Sequence, residues 1–269
     1  MSYKLKTLLS IAGSDPMGGA GIQADIKTGN ALGLHVTTAI TAVTSQNSKG
    51  FYQLGIIPHQ LLESQLRAIT EDLIPDAIKI GMIGNVENLE VIVNFIKSLP
   101  HKVSIVVDPV LKSTVSNSPL SSHSEELVRQ YIEQLFPLAT VITPNLKELE
   151  ELSKGMALDF DHYMSMLQRL NVNAFVLTGL DLDNDRKVDL LFEKEGSFRS
   201  THEKFECRNL HGTGCVFSSL LASYLGLKYN LKEAFQLASN KMCDIISQSC
   251  NYTLGNSKYG PLNINDYRI

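Results

Sequence analysis

The sequence lacks the features that mark several classes of protein. It has no run rich in lysine and arginine and a net charge of −4, so we expect no nucleic-acid partner, because phosphate backbones recruit basic surfaces. No stretch approaches the roughly 20 apolar residues that a membrane span needs, so we expect no membrane partner. The apolar stretch Leu8–Ala12 is shorter than the core of a typical secretory signal, and we interpret it as a first strand.

Cysteine is scarce as well. The four cysteines are Cys207, Cys215, Cys243 and Cys250, and none forms a Cys-x-x-Cys pair, which disfavours zinc sites and thioredoxin-like redox sites. Without a secretory signal, we expect reduced thiols and a cytoplasmic location. The 43% hydrophobic and 19% charged content is ordinary for a globular protein.

Short apolar runs alternate with amphipathic helical runs such as "PHQLLESQLRAITED" and "NVENLEVIVNFIKSL". The nearly continuous apolar runs are typical of parallel strands buried on both faces, and the alternation predicts an α/β fold with right-handed crossovers. The predicted strands are Thr7–Ala12, Thr37–Val43, Ala77–Gly81, Val103–Asp108, Thr140–Thr143 and Ala174–Leu177.

One segment departs from this alternation. "KVDLLFEKEGSFRSTHEKFE" (187–206) predicts a small antiparallel hairpin with Gly196 in its turn region. No linker, low-complexity run or internal repeat divides the chain, so we predict a single domain over residues 1–269.

Ligands of such folds bind beyond the carboxyl ends of the strands, and the first strand ends in a glycine-rich stretch, "AGSDPMGGAGIQADIK". Its Gly19-x-Gly21-x-x-Ala24 spacing fits the dinucleotide fingerprint, which also needs an acidic residue about 20 positions on. No Asp or Glu occurs between Asp25 and Glu63, which disfavours NAD binding. Asp25 itself is either a charge on a helix surface or a residue of the ligand pocket.

Polar side chains that suit a ring-shaped ligand follow the next two strands. Gln46 and Asn47 come after the second strand, and an amide can both donate to and accept from a heteroaromatic ring edge, although the pair could equally serve a local turn. Met82 follows the third strand; a methionine there is either part of the core or packed against a planar ring.

Acidic groups follow the fourth and fifth strands. Asp108 is held extended by Pro109, where its carboxylate could hold hydrated magnesium. Asn145 and Glu148 begin a helix, either as an ordinary N-terminal cap or as polar groups near a magnesium-bound nucleotide.

The stretch "HGTGC" (211–215) runs directly into the apolar stretch "VFSSLLASYLG". We predict a largely buried helix that starts near Cys215, with Gly212, Thr213 and Gly214 at its N-terminus. Free N–H groups and the helix dipole make such a terminus an anion site, suited to a phosphoryl group in transfer. The same position can lower the pKa of a thiol, so we predict Cys215 as a general base toward a substrate hydroxyl.

Together these stretches resemble the hydroxymethylpyrimidine/phosphomethylpyrimidine kinases of the ribokinase superfamily, in its vitamin-kinase branch. The resemblance covers nearly the whole chain, and its pieces stand in family order: "AGSDPMGGAGIQADIKT", "QNSKG", "IKIGM", "DPV", "TPN" with Glu148, and "HGTGC". It implies a ribokinase-like three-layer sandwich, a mostly parallel central sheet between helices. It also implies phosphorylation of a hydroxymethylpyrimidine and its monophosphate in thiamin synthesis, with ATP and Mg²⁺ as cofactors and a homodimer as the usual assembly.

The resemblance also implies site residues. Cys215 would be the base and the backbone of Gly212, Thr213 and Gly214 the anion hole. The pyrimidine would be held by Gly13, Asp25, Gln46, Met82 and Val110. The magnesium nucleotide would lie near Asp108, Asn145, Glu148, Thr178 and Gly179, with Asp108 and Glu148 holding the metal through water.

Two stretches depart from the family pattern. Thr178-Gly179-Leu180-Asp181 stands where members commonly carry a Lys-Gly-Gly-His-like stretch, and "DPVLKSTVSN" lacks the usual Lys-Ser-Gly spacing, so Lys112 would have to act from a different register.

Three alternatives stay open beside the pyrimidine kinase. A pyridoxal or pyridoxine kinase would use the same phosphoryl-transfer residues, and Gln46 is the residue that favours the aminopyrimidine. A dinucleotide-dependent oxidoreductase is disfavoured by the missing acidic residue. A non-catalytic sensor would keep the ring pocket and lose the nucleotide site near Thr178.

Overall fold

The computed structural model describes residues 4–111, 125–153, 160–254 and 260–264. The strands in this part of the chain are β1 (Thr7–Ser14), β2 (His35–Asn47), β3 (Gly50–Ile56), β4 (Ala77–Ile80), β5 (Ser104–Val107), β6 (Val141–Ile142), β7 (Ala174–Asp181), β8 (Arg186–Glu193) and β9 (Gly196–Glu203).

The helices are α1 (Gly21–Ala31), α2 (His59–Asp72), α3 (Val86–Ser98), α4 (Glu125–Gln130), α5 (Leu146–Leu152), α6 (Phe160–Arg169), α7 (Thr213–Gly226) and α8 (Leu231–Ser249). The two helices predicted from amphipathic runs are α2 and α3. Within the described residues, no helix has the length and apolar character that crossing a membrane requires.

The strands form one sheet in the order β3-β2-β1-β4-β5-β6-β7-β8-β9. The pairs from β2 through β7 are parallel, whereas β3, β8 and β9 pair antiparallel with their neighbours. The predicted α/β fold and the predicted hairpin, seen as β8 and β9, are confirmed.

Helices cover both faces of the sheet because successive strand residues point to opposite faces. On β1, Leu9 packs in a core with Leu62 of α2 and Ile92 of α3. Its neighbour Leu8 packs in a second core with Leu220 of α7. The two cores on opposite faces make the expected three-layer sandwich.

A second antiparallel hairpin was not predicted. β2 continues to Asn47 and pairs with β3, with Gln46 opposite Phe51, so Gln46 and Asn47 lie in a strand rather than in a loop after it. The run "GFYQLGI" is half-exposed and lies at the edge of the sheet. An edge strand of this kind has no continuous apolar run, which is the signal used to find the other strands.

Candidate active site

A cavity of about 490 Å³ opens at the carboxyl ends of the central strands. Of the predicted site residues, all except Asp25 line it. They are Gly13, Gln46, Met82, Asp108, Val110, Asn145, Glu148, Thr178, Gly179, Gly212, Thr213, Gly214 and Cys215. Lys112 lies outside the described residues.

Asp25 was predicted to line the ligand pocket, but it lies beneath this cavity and is absent from its lining. It faces inward from α1 and is fully buried, with its carboxylate accepting hydrogen bonds from Ser10 Oγ at 2.5 Å and Ser219 Oγ at 2.5 Å. The Lys79 ammonium donates to both of its oxygens, at 3.0 and 3.1 Å. With these partners, Asp25 supports the floor of the cavity and does not reach its interior.

Lys79 is a site residue that the sequence analysis missed. It is the lysine of the "IKIGM" stretch on β4, is fully buried, and contributes to the cavity wall. Burial lowers the pKa of Lys79, but the Asp25 carboxylate, with a further contribution from Asp108, outweighs that effect and raises it above its ordinary value. Lys79 therefore keeps its positive charge at the cavity floor, where it is paired with Asp25.

A hydrogen-bond network joins the glycine-rich loop after β1 to the "HGTGC" turn. The carboxylate of Asp15 accepts from the backbone N–H groups of Met17, Gly19 and Ala20 at 2.9 to 3.0 Å. It also lies 3.1 Å from His211 Nε2. These contacts hold two loops, far apart in the sequence, side by side at the mouth of the cavity.

The backbone of Gly212 turns the chain into α7. Gly212 is the N-cap residue with φ +88°, and a Cβ there would lie 1.8 Å from the Gly19 carbonyl oxygen. Only glycine satisfies both the positive φ and the close approach. Helix α7 then begins at Thr213, so its free N–H groups face the cavity, as the sequence predicts for an anion site.

Cys215 stands at the start of α7, but its acidity is opposite to the prediction. Burial raises the pKa of the Cys215 thiol to about 12, and the carboxylates of Asp108 and Asp25 add to this while Lys79 opposes it. Burial and two nearby carboxylates therefore outweigh the helix N-terminus and Lys79.

Asp108 and Glu148 form an acidic wall next to the helix start. Burial raises the pKa of Glu148 to about 8, with a further contribution from Asp108. Burial also raises the pKa of Asp108, against Lys79 and a 3.2 Å hydrogen bond from Ser218 Oγ. Both side chains offer hard oxygen donors of the kind that suit a divalent cation, and a bound cation would favour their ionised form.

The capping interpretation of Asn145 is confirmed. Its side chain accepts from the Glu148 N–H at 3.0 Å, and the Glu148 carboxylate accepts from the Asn145 N–H at 2.9 Å. The cap fixes both side chains where they line the cavity.

The other end of the cavity lies on the β7–β8–β9 hairpins and was only partly predicted. Asp189 of β8 is buried and accepts from the Gly179 N–H at 2.7 Å and Ser239 Oγ at 2.7 Å. His202 of β9 lies 3.2 Å from Asp189, and that hydrogen bond raises the pKa of His202 against its burial. Lys187 donates to the Gly179 carbonyl at 2.7 Å.

A comparison with protein families identifies the family of this chain. A family model described as phosphomethylpyrimidine kinase matches residues 15–263. The chain belongs to that family. The resemblance drawn from the sequence motifs is confirmed, and the protein is a phosphotransferase.

Two relatives match nearly the whole of this chain. A hydroxymethylpyrimidine/phosphomethylpyrimidine kinase of Staphylococcus aureus strain MRSA252 is 33% identical over 97% of this chain and 94% of its own length. A probable thiamine biosynthetic bifunctional enzyme of rice is 33% identical over 94% of this chain, which spans 46% of that longer protein.

Solved structures of two kinds of vitamin kinase share the fold. A phosphomethylpyrimidine kinase from Clostridium difficile is 34% identical, with a TM-score of 0.73 over 90% of this chain and 98% of its own. A Staphylococcus aureus pyridoxal kinase in complex with ADP is 28% identical, with a TM-score of 0.85 over 98% and 95%. Sequence and structure thus place the chain among kinases that act on small vitamin precursors.

Proposed function

We propose that this enzyme uses ATP to phosphorylate 4-amino-5-hydroxymethyl-2-methylpyrimidine and its monophosphate, as the names of its relatives indicate for those proteins. The observation that carries the proposal is a single cavity lined both by Gln46 with its apolar neighbours and by the turn at Gly212 that begins α7. Acceptor and phosphoryl donor would meet between these two ends.

The ring would lie at the end of the cavity formed by Gly13, Gln46, Phe51, Met82 and Val110. Met82 packs with Ala42 in a small apolar cluster, with Phe51 and Val110 against it, which offers flat apolar contacts to the faces of a ring. The Gln46 amide would read the ring edge, since it can donate and accept at once.

The transferred phosphoryl group would lie on the turn formed by Gly212, Thr213, Gly214 and Cys215. Backbone N–H groups at the start of α7 would stabilise its oxygens, and the buried Lys79 ammonium would add positive charge from below. Cys215 could take the proton of the acceptor hydroxyl only as a thiolate, and the Lys79 ammonium favours that form against the burial that raises the thiol's pKa. The thiolate would accept a hydrogen bond from the hydroxyl and take its proton as the new oxygen–phosphorus bond forms.

Asp108 and Glu148 would hold Mg²⁺ through water. In the described residues no three acidic, histidine or cysteine side chains cluster as a metal cage, and Mg²⁺ commonly keeps waters and phosphate ligands beside one or two carboxylates. When bound, the ion would neutralise the nucleotide phosphates. The nucleotide would extend toward Thr178 and Gly179.

A pyridoxal kinase is the second candidate, because pyridoxal kinases have the same fold at a TM-score of 0.85. The rest of the proposal follows the family: a single catalytic domain, a homodimer, and a cytoplasmic location.

The experiment is ADP release from the purified protein with Mg-ATP and, in parallel, the hydroxymethylpyrimidine, its monophosphate and pyridoxal. We expect turnover of both pyrimidines and a lower kcat/KM for pyridoxal. Turnover of pyridoxal alone would move the function to vitamin B6, and ring binding without turnover would indicate a sensor.

Cys215→Ala tests the proposed base. Loss of a general base typically costs about 10²- to 10⁴-fold in rate, so kcat is expected to fall by that range with little change in the KM for ATP. The matched control is Cys243→Ala, a half-buried thiol on α8. Unchanged turnover in Cys215→Ala would remove the thiol from the mechanism.

A further inference from the structure

Two thiols meet at the carboxyl end of α8, outside the proposed catalytic chemistry. Cys207 Sγ lies 3.8 Å from the Ile246 carbonyl oxygen, and Cys250 Sγ lies 3.0 Å from the same oxygen. The Cys250 thiol also hydrogen-bonds the Cys207 side chain. Both cysteines are free and half-buried, so a small oxidant has access to them. The structure therefore brings together two sulfur atoms from distant parts of the chain.

The backbone around this pair is already held in place. Asn209, two residues after Cys207, is buried and donates to the Ser249 carbonyl at 2.6 Å and to the Tyr252 carbonyl at 2.8 Å. These bonds tie the segment before the "HGTGC" turn to the end of α8, next to Cys250. A covalent bond between the two sulfurs would join segments that are already in contact.

The thiol pair lies next to residues that line the cavity. Leu210 and His211, which follow Cys207 in the chain, line the cavity, and so does Ile246, whose carbonyl both thiols approach. A cross-link here would fasten the segment that leads into the anion-binding turn.

We propose that Cys207 and Cys250 are a modification site, a thiol pair that closes reversibly into a disulfide when the protein meets an oxidant of the low-molecular-weight disulfide class. This goes beyond the kinase reaction and does not depend on it. The disulfide stabilises the segment 204–211 against opening, because a cross-link between distant residues restricts the unfolded chain.

The exchange balances in two steps. The Cys207 thiolate attacks one sulfur of the oxidant, the sulfur–sulfur bond of the oxidant breaks, and one small thiolate leaves. The Cys250 thiolate then attacks the Cys207 sulfur of the mixed disulfide and releases the second small thiolate. The two protons given up by the cysteines go to the two released thiolates, so the protein loses two electrons and the oxidant gains them.

The acidity of Cys250 is consistent with a pair that stays reduced until it is challenged. Burial, with the hydrogen bond that the Cys250 thiol donates to Cys207, raises the pKa of Cys250 to about 12. At neutral pH this thiol therefore keeps its proton, and it deprotonates only in the exchange itself, since the thiolate is the reactive form.

The test treats the full chain with oxidised glutathione, blocks the remaining thiols with iodoacetamide, and maps peptides by mass spectrometry without reduction. We expect a peptide pair joined through Cys207 and Cys250, two hydrogens lighter than the sum of its parts, which dithiothreitol separates. The variant Cys207→Ser is expected to give at least tenfold less of any cross-link to Cys250. The control Cys243→Ser changes another half-buried cysteine of α8 and is expected to cross-link as the wild type does.

Two further measurements report on the structural effect of the Cys207–Cys250 disulfide. The oxidised wild type is expected to melt several degrees higher than the reduced protein, and its backbone amides in 204–211 to exchange more slowly with solvent. Oxidised Cys207→Ser is expected to show neither change. The proposal is overturned if both cysteines stay open to iodoacetamide, if each ends with its own glutathione, or if Cys250 cross-links equally well in Cys207→Ser. None of these measurements uses kinase activity, so a failure here is separate from a failure of the proposed function.

Discussion

The buried ion pair beneath the cavity gives the sharpest test of how this fold is stabilised. Lys79 and Asp25 are both fully buried, with Lys79 Nζ 3.0 Å from one carboxylate oxygen and 3.1 Å from the other. Lys79→Met keeps most of the side-chain volume and removes the positive charge. The Asp25 carboxylate then stays buried with only the hydroxyls of Ser10 and Ser219 as partners.

The magnitude follows from two limits. Breaking a buried ion pair by removing one partner costs about 3–5 kcal/mol. The second limit is set by the hydroxyls of Ser10 and Ser219, which still donate to the carboxylate and keep the loss near the middle of that range, at about 4 kcal/mol. For a chain of this size, about 4 kcal/mol corresponds to a melting temperature lower by roughly 10 °C.

Urea unfolding at pH 7 measures the loss of stability, provided that the slope against urea concentration is the same for both proteins.

The double variant Asp25→Asn with Lys79→Met is the control. It removes both charges, and replacing a buried pair by neutral groups of similar volume is often close to neutral in stability. We expect it to recover most of the loss. If the double variant is as unstable as Lys79→Met, or if Lys79→Met is as stable as the wild type at pH 7, the electrostatic reasoning is wrong and packing of the lysine stem decides the result.

Three other predictions concern the site. Gly212→Ala adds a Cβ 1.8 Å from a backbone oxygen at φ +88°, which should displace the anion-binding turn and lower kcat by about 10²-fold or more. The control is Gly196→Ala, at φ +143° in open space, which should lower stability by about 1–3 kcal/mol and leave kcat unchanged. Equal kcat values in the two variants would contradict the role of the turn. Asp189→Asn removes the partner that raises the pKa of His202, so NMR titration should find this pKa lower than in the wild type. In the wild type, the stability gained from the pair is present below about pH 6.5 and is lost as the pH rises through the raised pKa. An unchanged His202 titration in the variant would contradict the pairing. Gln46→Leu should lower kcat/KM for the pyrimidine by about 5- to 30-fold, since a lost hydrogen bond to a ring edge costs about 1–2 kcal/mol. The KM for ATP is the internal control, and an unchanged kcat/KM would place the ring elsewhere.

Much of the architecture was predictable because burial on both faces leaves a local signal. The apolar run that forms β5 and the amphipathic runs that form α2 and α3 carry their period in a few neighbouring residues. The pairing of β2 with β3 was not predictable in the same way. β3 is a half-exposed edge strand, and its identity depends on a partner rather than on its own composition.

The residues of the candidate site were likewise predictable only in part. Residues that follow strands or begin helices, such as Asp108 and Gly212, could be selected by position, because parallel strands bring their carboxyl ends to one edge of the sheet. Lys79 could not, since a lysine within an apolar strand has no functional signal until its buried partner is known. From the stretch "IKIGM" alone, the most that follows is that a buried lysine needs a counter-charge.

What the sequence determined by itself is the alternation of strands and helices, the helix start after Gly212 and the chemical types that gather at the sheet edge, because each follows from neighbouring residues. Only the tertiary structure decided that Asp25 supports the floor and does not line the cavity, that Cys215 is less acidic than an ordinary thiol, and that Cys207 meets Cys250. Each of these depends on charges, burial and contacts from residues distant in the chain. Electrostatics and packing act through space, and no local pattern records them.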